Sequence, residues 1–85
     1  MESPDWNHLQ DFLAVARTGR LTAGARHLGV DHTTLARRIA SLETALKARL
    51  FDRSPLGYTL TAHGERLMVR AEAMESLMLV AQAEV

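Results

Sequence analysis

The chain has 85 residues, no cysteine, and ten basic residues balanced by ten acidic ones, which fits one small domain without disulfides or a cysteine-ligated zinc site. The four histidines (His8, His27, His32 and His63) lack the spacing of a metal site, and no apolar run is long enough to span a membrane. The polar, acidic N-terminus does not resemble a signal peptide, so we expect a cytoplasmic protein. We expect neither a metal nor another cofactor.

A first helix is predicted from the N-terminal region. Ser3 can cap it, Pro4 fits its first turn, and Asp5 places an acid near the positive end of the helix dipole. One face has the apolar spacing of a buried helix, with Leu9, Phe12, Leu13 and Ala16. We expect this helix to end near residues 18–19.

Residues 20–39 have the layout of a helix-turn-helix, in which the second helix of the motif enters the DNA major groove. The pattern predicts helices over about residues 21–28 and 32–46, with Gly29 in the turn and Asp31 as the cap of the later helix. That later helix is expected to bury Leu35, Ile39, Leu42 and Leu46 and to present another side with His32, Thr33, Ala36 and Arg37.

The positive charge is concentrated around this motif. Residues 17–53 have a formal charge of +5, whereas residues 1–16 and 54–85 have charges of −3 and −2. Local charge decides phosphate affinity more than net charge does, so the distribution favours a nucleic-acid surface. An ordinary solvated surface is the alternative interpretation.

Residues 50–60 indicate a short β-hairpin, with a turn at residues 54–57, and a hairpin after a helix-turn-helix is a wing. Thr61 is predicted to cap a last helix that reaches towards Val85. This helix carries an apolar stripe with little of the domain left to cover it, so we expect a partner chain to cover it, although part of the stripe can pack on the first helix. The stripe is formed by Leu67, Ala71, Met74, Met78 and Ala81.

The predicted fold is mainly α: a winged helix-turn-helix over residues 1–60, made of three helices and a two-stranded wing, followed by a long linker and dimerisation helix over residues 61–85. In this order the chain resembles the N-terminal DNA-binding domain of the LysR-type transcriptional regulators. The resemblance extends from Leu9 to about Arg70. Its motifs are Leu9-x-x-Phe12, Ala25-x-x-Leu28, Val30, Leu35, Ile39-x-x-Leu42-Glu43-x-x-Leu46, Leu50-Phe51-x-Arg53 and Leu60-Thr61-x-x-Gly64.

The resemblance implies sequence-specific binding of double-stranded DNA as a homodimer held by the linker helix. It implies an interrupted inverted repeat as the site, with the helix over residues 32–46 in the major groove and the wing over residues 50–60 on the backbone or in the minor groove. It also implies a C-terminal domain, absent from this chain, through which a small-molecule effector would act.

Carried over position by position, the resemblance places base-reading residues at the start of the third helix. His32 stands where the family usually has Gln, Thr33 where Pro is frequent, and Ala36 where Ser is common, while Arg37 matches a frequent base or phosphate contact. The further positions expected at the DNA are Arg20, Thr22, Thr34, Arg38 and the wing residue Arg53.

Three departures from the family pattern affect stability. Arg20 replaces the usual Ser cap of the second helix, at a cost of about 1 kcal/mol, and we expect it to contact a phosphate instead. Gly24 replaces an Ala within that helix, at a cost of roughly 0.5–1 kcal/mol. Lys47 replaces the Gly that ends the third helix, so we expect a left-handed conformation at a non-glycine residue.

Two other classes of function are weaker. A winged helix that binds only proteins is disfavoured by the arginines near the third helix and in the wing. An enzyme is not expected, because the sequence shows no nucleophile–base pair, phosphate-binding loop or metal cluster.

Overall fold

The computed structural model describes residues 5–84 as a helical domain with one antiparallel pair of strands. The order of elements confirms the predicted winged helix-turn-helix followed by a long helix. The elements are α1 (Trp6–Thr18), α2 (Leu21–Leu28), α3 (His32–Leu46), β1 (Phe51–Ser54), β2 (Gly57–Leu60) and α4 (Ala62–Ala83).

Helix α1 begins later than the sequence suggests. Asp5, expected within the first turn, is itself the cap: its carboxylate accepts a hydrogen bond from the backbone N–H of His8, and the backbone N–H of Asp5 donates to His8 Nδ1. This reciprocal pair satisfies two backbone donors at the helix start. The cap and first-turn positions predicted for Ser3 and Pro4 lie outside the described residues.

Helices α2 and α3 begin and end where the sequence predicts. Gly29 closes α2 in the left-handed conformation, and Asp31 caps α3 by accepting from the N–H of Thr33 at 3.0 Å. Arg20 precedes α2 without a side-chain capping bond, and Lys47 ends α3 at φ 55°. Both predicted departures from a favourable cap are therefore present in the fold.

The core lies where α1, α3 and the base of the hairpin meet, and the rings of Phe12 and Phe51 pack there with centroids 5.3 Å apart. Leu46, predicted to be buried, is 38% exposed because it occupies the last turn of α3, where the chain turns away at Lys47. The largest fully buried side chains are Phe12, Val15, Leu35, Ile39, Leu42, Leu50 and Phe51.

Gly24 lies at a close helix crossing. A Cβ atom at this position would be 3.3 Å from the backbone oxygen of Ala14 and 3.3 Å from Leu35 Cδ2. The helix-propensity cost expected for Gly24 is therefore accompanied by a packing role, since Ala would crowd both neighbours.

The hairpin is joined to both sides of the helical unit. The N–H of Tyr58 donates to the carbonyl of Gly19 at 2.8 Å, which connects β2 to the turn between α1 and α2. The N–H of Thr61 donates to the carbonyl of Leu50 at 2.9 Å, which closes the base of the hairpin. The pairing register runs from Phe51↔Leu60 to Ser54↔Gly57, so the wing projects from a fixed base.

Helix α4 begins at the predicted cap, where the Thr61 hydroxyl oxygen accepts from the N–H of Gly64. Its middle is held against α1 by Arg17, which donates to both carboxylate oxygens of Glu75 at 2.7 and 3.0 Å. These hydrogen bonds lower the pKa of Glu75 and raise that of Arg17. Within residues 5–84, no helix is both long and apolar enough to cross a membrane.

Candidate nucleic-acid interface

The first turn of α3 is held by its cap. The Asp31 carboxylate accepts from both the hydroxyl and the N–H of Thr33, and these bonds lower the pKa of Asp31. His32 and Thr33 are exposed immediately beside the cap, whereas Thr34 is half-buried. The first residues expected to read bases, His32 and Thr33, thus lie at a helix start that is held by its cap.

The outward side of α3 is a row of small and basic residues. Thr33, Arg37, Ala40 and Thr44 are exposed and follow the helical period opposite Leu35, Ile39 and Leu42. Ala36 is half-buried at the edge of this row. Because the row has no bulky side chain except Arg37, it leaves room for a base-pair edge to approach the helix backbone.

Arg38 differs from Arg37. Its guanidinium Nη1 lies 3.7 Å from Asp11 Oδ1 on α1, and Asp11 is only 5% exposed. Burial raises the pKa of Asp11, and the charge of Arg38 partly opposes that rise. The exposed side chain of Arg38 is therefore directed towards α1 rather than along the outward row.

Arg53 lies in the wing as expected, but it has partners within the chain. Its Nη2 is 3.0 Å from Glu43 Oε1, and its guanidinium carbon lies 5.3 Å from the centre of the Tyr58 ring. The contact with Glu43 joins the wing to α3. Glu43 has no predicted function beyond its place in the Leu42-Glu43-x-x-Leu46 motif, because the spacing of residues along the chain does not indicate this contact.

Arg20 and Thr22 are exposed at the start of α2. A Cβ atom on Gly57 would be 3.8 Å from Arg20 Cγ, so the stem of Arg20 runs beside the tip of the hairpin. The start of α2 and the wing are therefore neighbours, which brings Arg20 close to the element that carries Arg53.

The apolar stripe predicted for dimerisation is only partly available. Ala71 is fully buried against the core of its own chain, so this member is corrected to a monomer contact, and Leu67 is half-buried there. Met74 and Met78 are 46% and 37% exposed, and Ala81 is exposed. The free part of the stripe lies in the second half of α4.

The family of this chain follows from its similarity to known proteins. Residues 6–65 match the family described as "Bacterial regulatory helix-turn-helix protein, lysR family". The chain belongs to the LysR family. This LysR-family chain is 41% identical over 78 residues to the HTH-type transcriptional regulator YofA of Bacillus subtilis, covering 92% of the chain and 26% of YofA.

Another relative is the SDS degradation transcriptional activation protein of a Pseudomonas species, 34% identical over 70 residues, with 82% of this chain and 23% of that protein covered. The chain thus spans about a quarter of the length of these relatives. Both are named as regulators of transcription rather than as enzymes.

Solved structures agree with the family. The DNA-binding domain of CbnR in a complex with DNA superposes with a TM-score of 0.88 at 30% identity, covering 95% of this chain and 93% of that one. DarR of Vibrio fischeri, also in complex with DNA, superposes with a TM-score of 0.87 at 25% identity over 98% of this chain and 28% of that one. The LysR-family chain is therefore a DNA-binding domain of a transcriptional regulator.

Proposed function

We propose that this LysR domain reads double-stranded DNA with α3 in the major groove. The observation that carries the proposal is the outward row of α3, where Arg37 projects among Thr33, Ala40 and Thr44 opposite the buried face. A helix of this diameter fits the major groove, and an exposed Arg can form two hydrogen bonds to guanine. The similarity to CbnR and DarR, both solved in complex with DNA, supports DNA binding by this fold here.

The proposed contacts divide into two classes. Base edges are read by His32, Thr33, Ala36 and Arg37 at the start of α3. Phosphates are held by Arg20, Thr22 and Thr34, with Arg53 of the wing on the backbone or in the minor groove. Arg38 contributes less than Arg37 in this proposal, because its side chain extends towards Asp11 on α1 instead of along the outward row of α3.

We further propose that two copies bind together as a homodimer through the exposed half of α4. Beyond Met74 and Met78, this half exposes Leu77, Leu79 and Val80, an apolar surface that a second helix would cover. A two-fold dimer presents two copies of α3, so its site would be an interrupted inverted repeat with half-sites about one or more turns of roughly 34 Å apart.

The chain spans only about a quarter of the length of these relatives, so effector binding is proposed for a longer regulator that contains this domain. In this proposal a C-terminal domain binds a small-molecule effector, and the regulator acts in the cytoplasm. Binding of proteins alone through the same winged helix is the second candidate, favoured only if duplex DNA does not bind.

The decisive experiment is selection of bound sequences from a random duplex pool by this 85-residue chain at near-physiological salt. Enrichment of an interrupted palindrome is the expected result. Weak, salt-sensitive binding without enrichment would contradict sequence reading by this domain, and absence of binding would favour the protein-binding alternative.

Arg37 gives the sharpest single-residue prediction. We expect Arg37→Ala to weaken binding to the selected site by roughly 1–3 kcal/mol and to relax the preference at one base pair, because the bidentate contact is lost. Titration against a panel of single-base variants measures both effects, with Arg70→Ala on the exposed surface of α4 as the control. An equal loss on every sequence would identify Arg37 as a phosphate contact.

A further inference from the structure

One carboxylate connects the reading helix to the wing. Glu43 Oε2 accepts hydrogen bonds from the backbone N–H groups of Leu50 at 2.8 Å and Phe51 at 3.3 Å, where the chain enters β1. The other oxygen, Oε1, accepts from the guanidinium of Arg53 at 3.0 Å. The Glu43 side chain is only 13% exposed. Its two bonds from backbone N–H groups are partly buried, whereas the Arg53 side chain is 42% exposed and its bond is therefore weakened by water.

The three contacts act on different parts of the hairpin. The bonds to Leu50 and Phe51 fix where the first strand leaves the end of α3. The bond to Arg53 fixes the direction of its side chain, which lies over the ring of Tyr58, its cross-strand partner. Glu43 therefore determines both the base of the wing and the orientation of its basic residue relative to α3.

The hairpin does not depend on Glu43 to stay attached. Leu50 and Phe51 are buried in the core, and the N–H of Tyr58 donates to the carbonyl of Gly19. Without the Glu43 contacts, the wing should thus remain folded and docked but gain freedom to tilt, and Arg53 should gain freedom to leave its position over Tyr58.

We infer that Glu43 is a positioning residue for DNA recognition: it holds the wing at a fixed distance and angle from the reading helix. The inference rests on the proposed function, since a fixed angle matters only if both elements contact one duplex. Its effect is on specificity, because a duplex fits α3 and a rigid wing together only at the correct register.

The same carboxylate also offsets the charge of Arg53. Removing its charge frees a cation beside the phosphates and removes a repelling anion, which favours non-specific binding. Loss of Glu43 is therefore expected to lower specific affinity while non-specific affinity stays the same or rises, whereas partial unfolding would lower both by one factor.

The test compares Glu43→Gln with the unaltered chain on two duplexes of equal length, the selected site and an unrelated sequence. We expect the ratio of the two affinities to fall about tenfold, with affinity for the unrelated duplex unchanged or higher. Hydroxyl-radical footprints should lose protection at the wing while protection around the α3 contacts remains. Glu65→Gln, the same change at an exposed position of α4, should leave the ratio unchanged.

The outcomes separate the two proposals. An unaltered chain that prefers no sequence would overturn the proposed function and this inference with it. The other negative outcome requires that the unaltered chain selects its site. If Glu43→Gln then leaves the affinity ratio unchanged, or lowers both affinities equally, only the positioning by Glu43 is overturned. If circular dichroism shows that Glu43→Gln does not fold, Glu43→Asp is used instead. Asp keeps the charge but is one methylene shorter than Glu, and the same affinity ratio decides the question.

Discussion

Asp11 is the buried acid of this domain, and it makes stability depend on pH. Burial raises the pKa of Asp11 above its ordinary value of 3.8, against the opposing charge of Arg38. The folded chain thus holds this proton more tightly than the unfolded chain does. The resulting stabilisation is fully present below pH 3.8 and is lost as the pH rises through the pKa of the folded carboxyl.

We expect Asp11→Asn to remove this dependence. The variant should be as stable as the unaltered chain at pH 7, or more stable by up to about 1 kcal/mol, because no buried charge has to be formed. Urea unfolding across about pH 4 to 7 measures the effect, and the contribution of Asp11 to the slope should vanish in the variant. A clear loss of stability at pH 7 would instead show that the ionised pair with Arg38 is favourable.

The partner variant decides what Arg38 does. Arg38→Ala should lower stability by about 1–3 kcal/mol, because it leaves the Asp11 carboxylate without its cation, and adding Asp11→Asn should restore most of the loss. A variant of unchanged stability but weaker DNA binding would support the DNA contact expected for Arg38.

Gly64 controls how α4 packs on the base of the wing. A Cβ atom there would clash with the carbonyl oxygen of Leu50, the same carbonyl that accepts from Thr61, and would lie 2.9 Å from Leu60 Cδ2. Gly64 is buried within the first turn of the helix. The glycine of the Leu-Thr-x-x-Gly motif is therefore required for close packing and not for an unusual backbone conformation.

Gly64→Ala should destabilise the domain by about 1–3 kcal/mol, although Ala is the better helix former, because the backbone of Leu50 must move. Thermal and urea unfolding measure this change. Ser76→Ala, at an exposed position of the same helix, should change stability little. Equal stability of Gly64→Ala and the unaltered chain would show that the contact yields without cost.

Features that depend on neighbouring residues could be predicted from the sequence, whereas contacts between residues far apart in the chain could not. The caps at Gly29, Asp31 and Thr61 depend on neighbouring residues, so the bounds of α2 and α3 and the start of α4 were predictable. The contacts of Glu43 with the wing and of Asp11 with Arg38 join residues far apart in the chain. Nothing in local spacing indicates such pairs, and they appear only once the helices are packed.

The apolar surface of α4 is larger than a monomer requires. Ala71 and, in part, Leu67 are covered by the domain itself. The exposed apolar residues of the second half are Met74, Leu77, Met78, Leu79 and Val80. The Arg17–Glu75 contact fixes the direction in which this half of the helix projects. Dimerisation would thus use the second half of α4 as a projecting arm, and the direction of this arm would set the spacing of the two reading helices.

Met78→Glu tests this arm. A charge within the covered surface should prevent pairing, because an unpaired carboxylate cannot be buried between two apolar helices without a large desolvation cost. Sedimentation should then show a monomer, and affinity for a two-half-site duplex should fall by about 100-fold while affinity for a single half-site stays the same. Leu56→Glu introduces the same charge at an exposed position of the hairpin turn. This control variant should sediment as the unaltered chain does. If Met78→Glu sediments as the unaltered chain does and still binds both half-sites with full affinity, the second half of α4 is not the dimer surface.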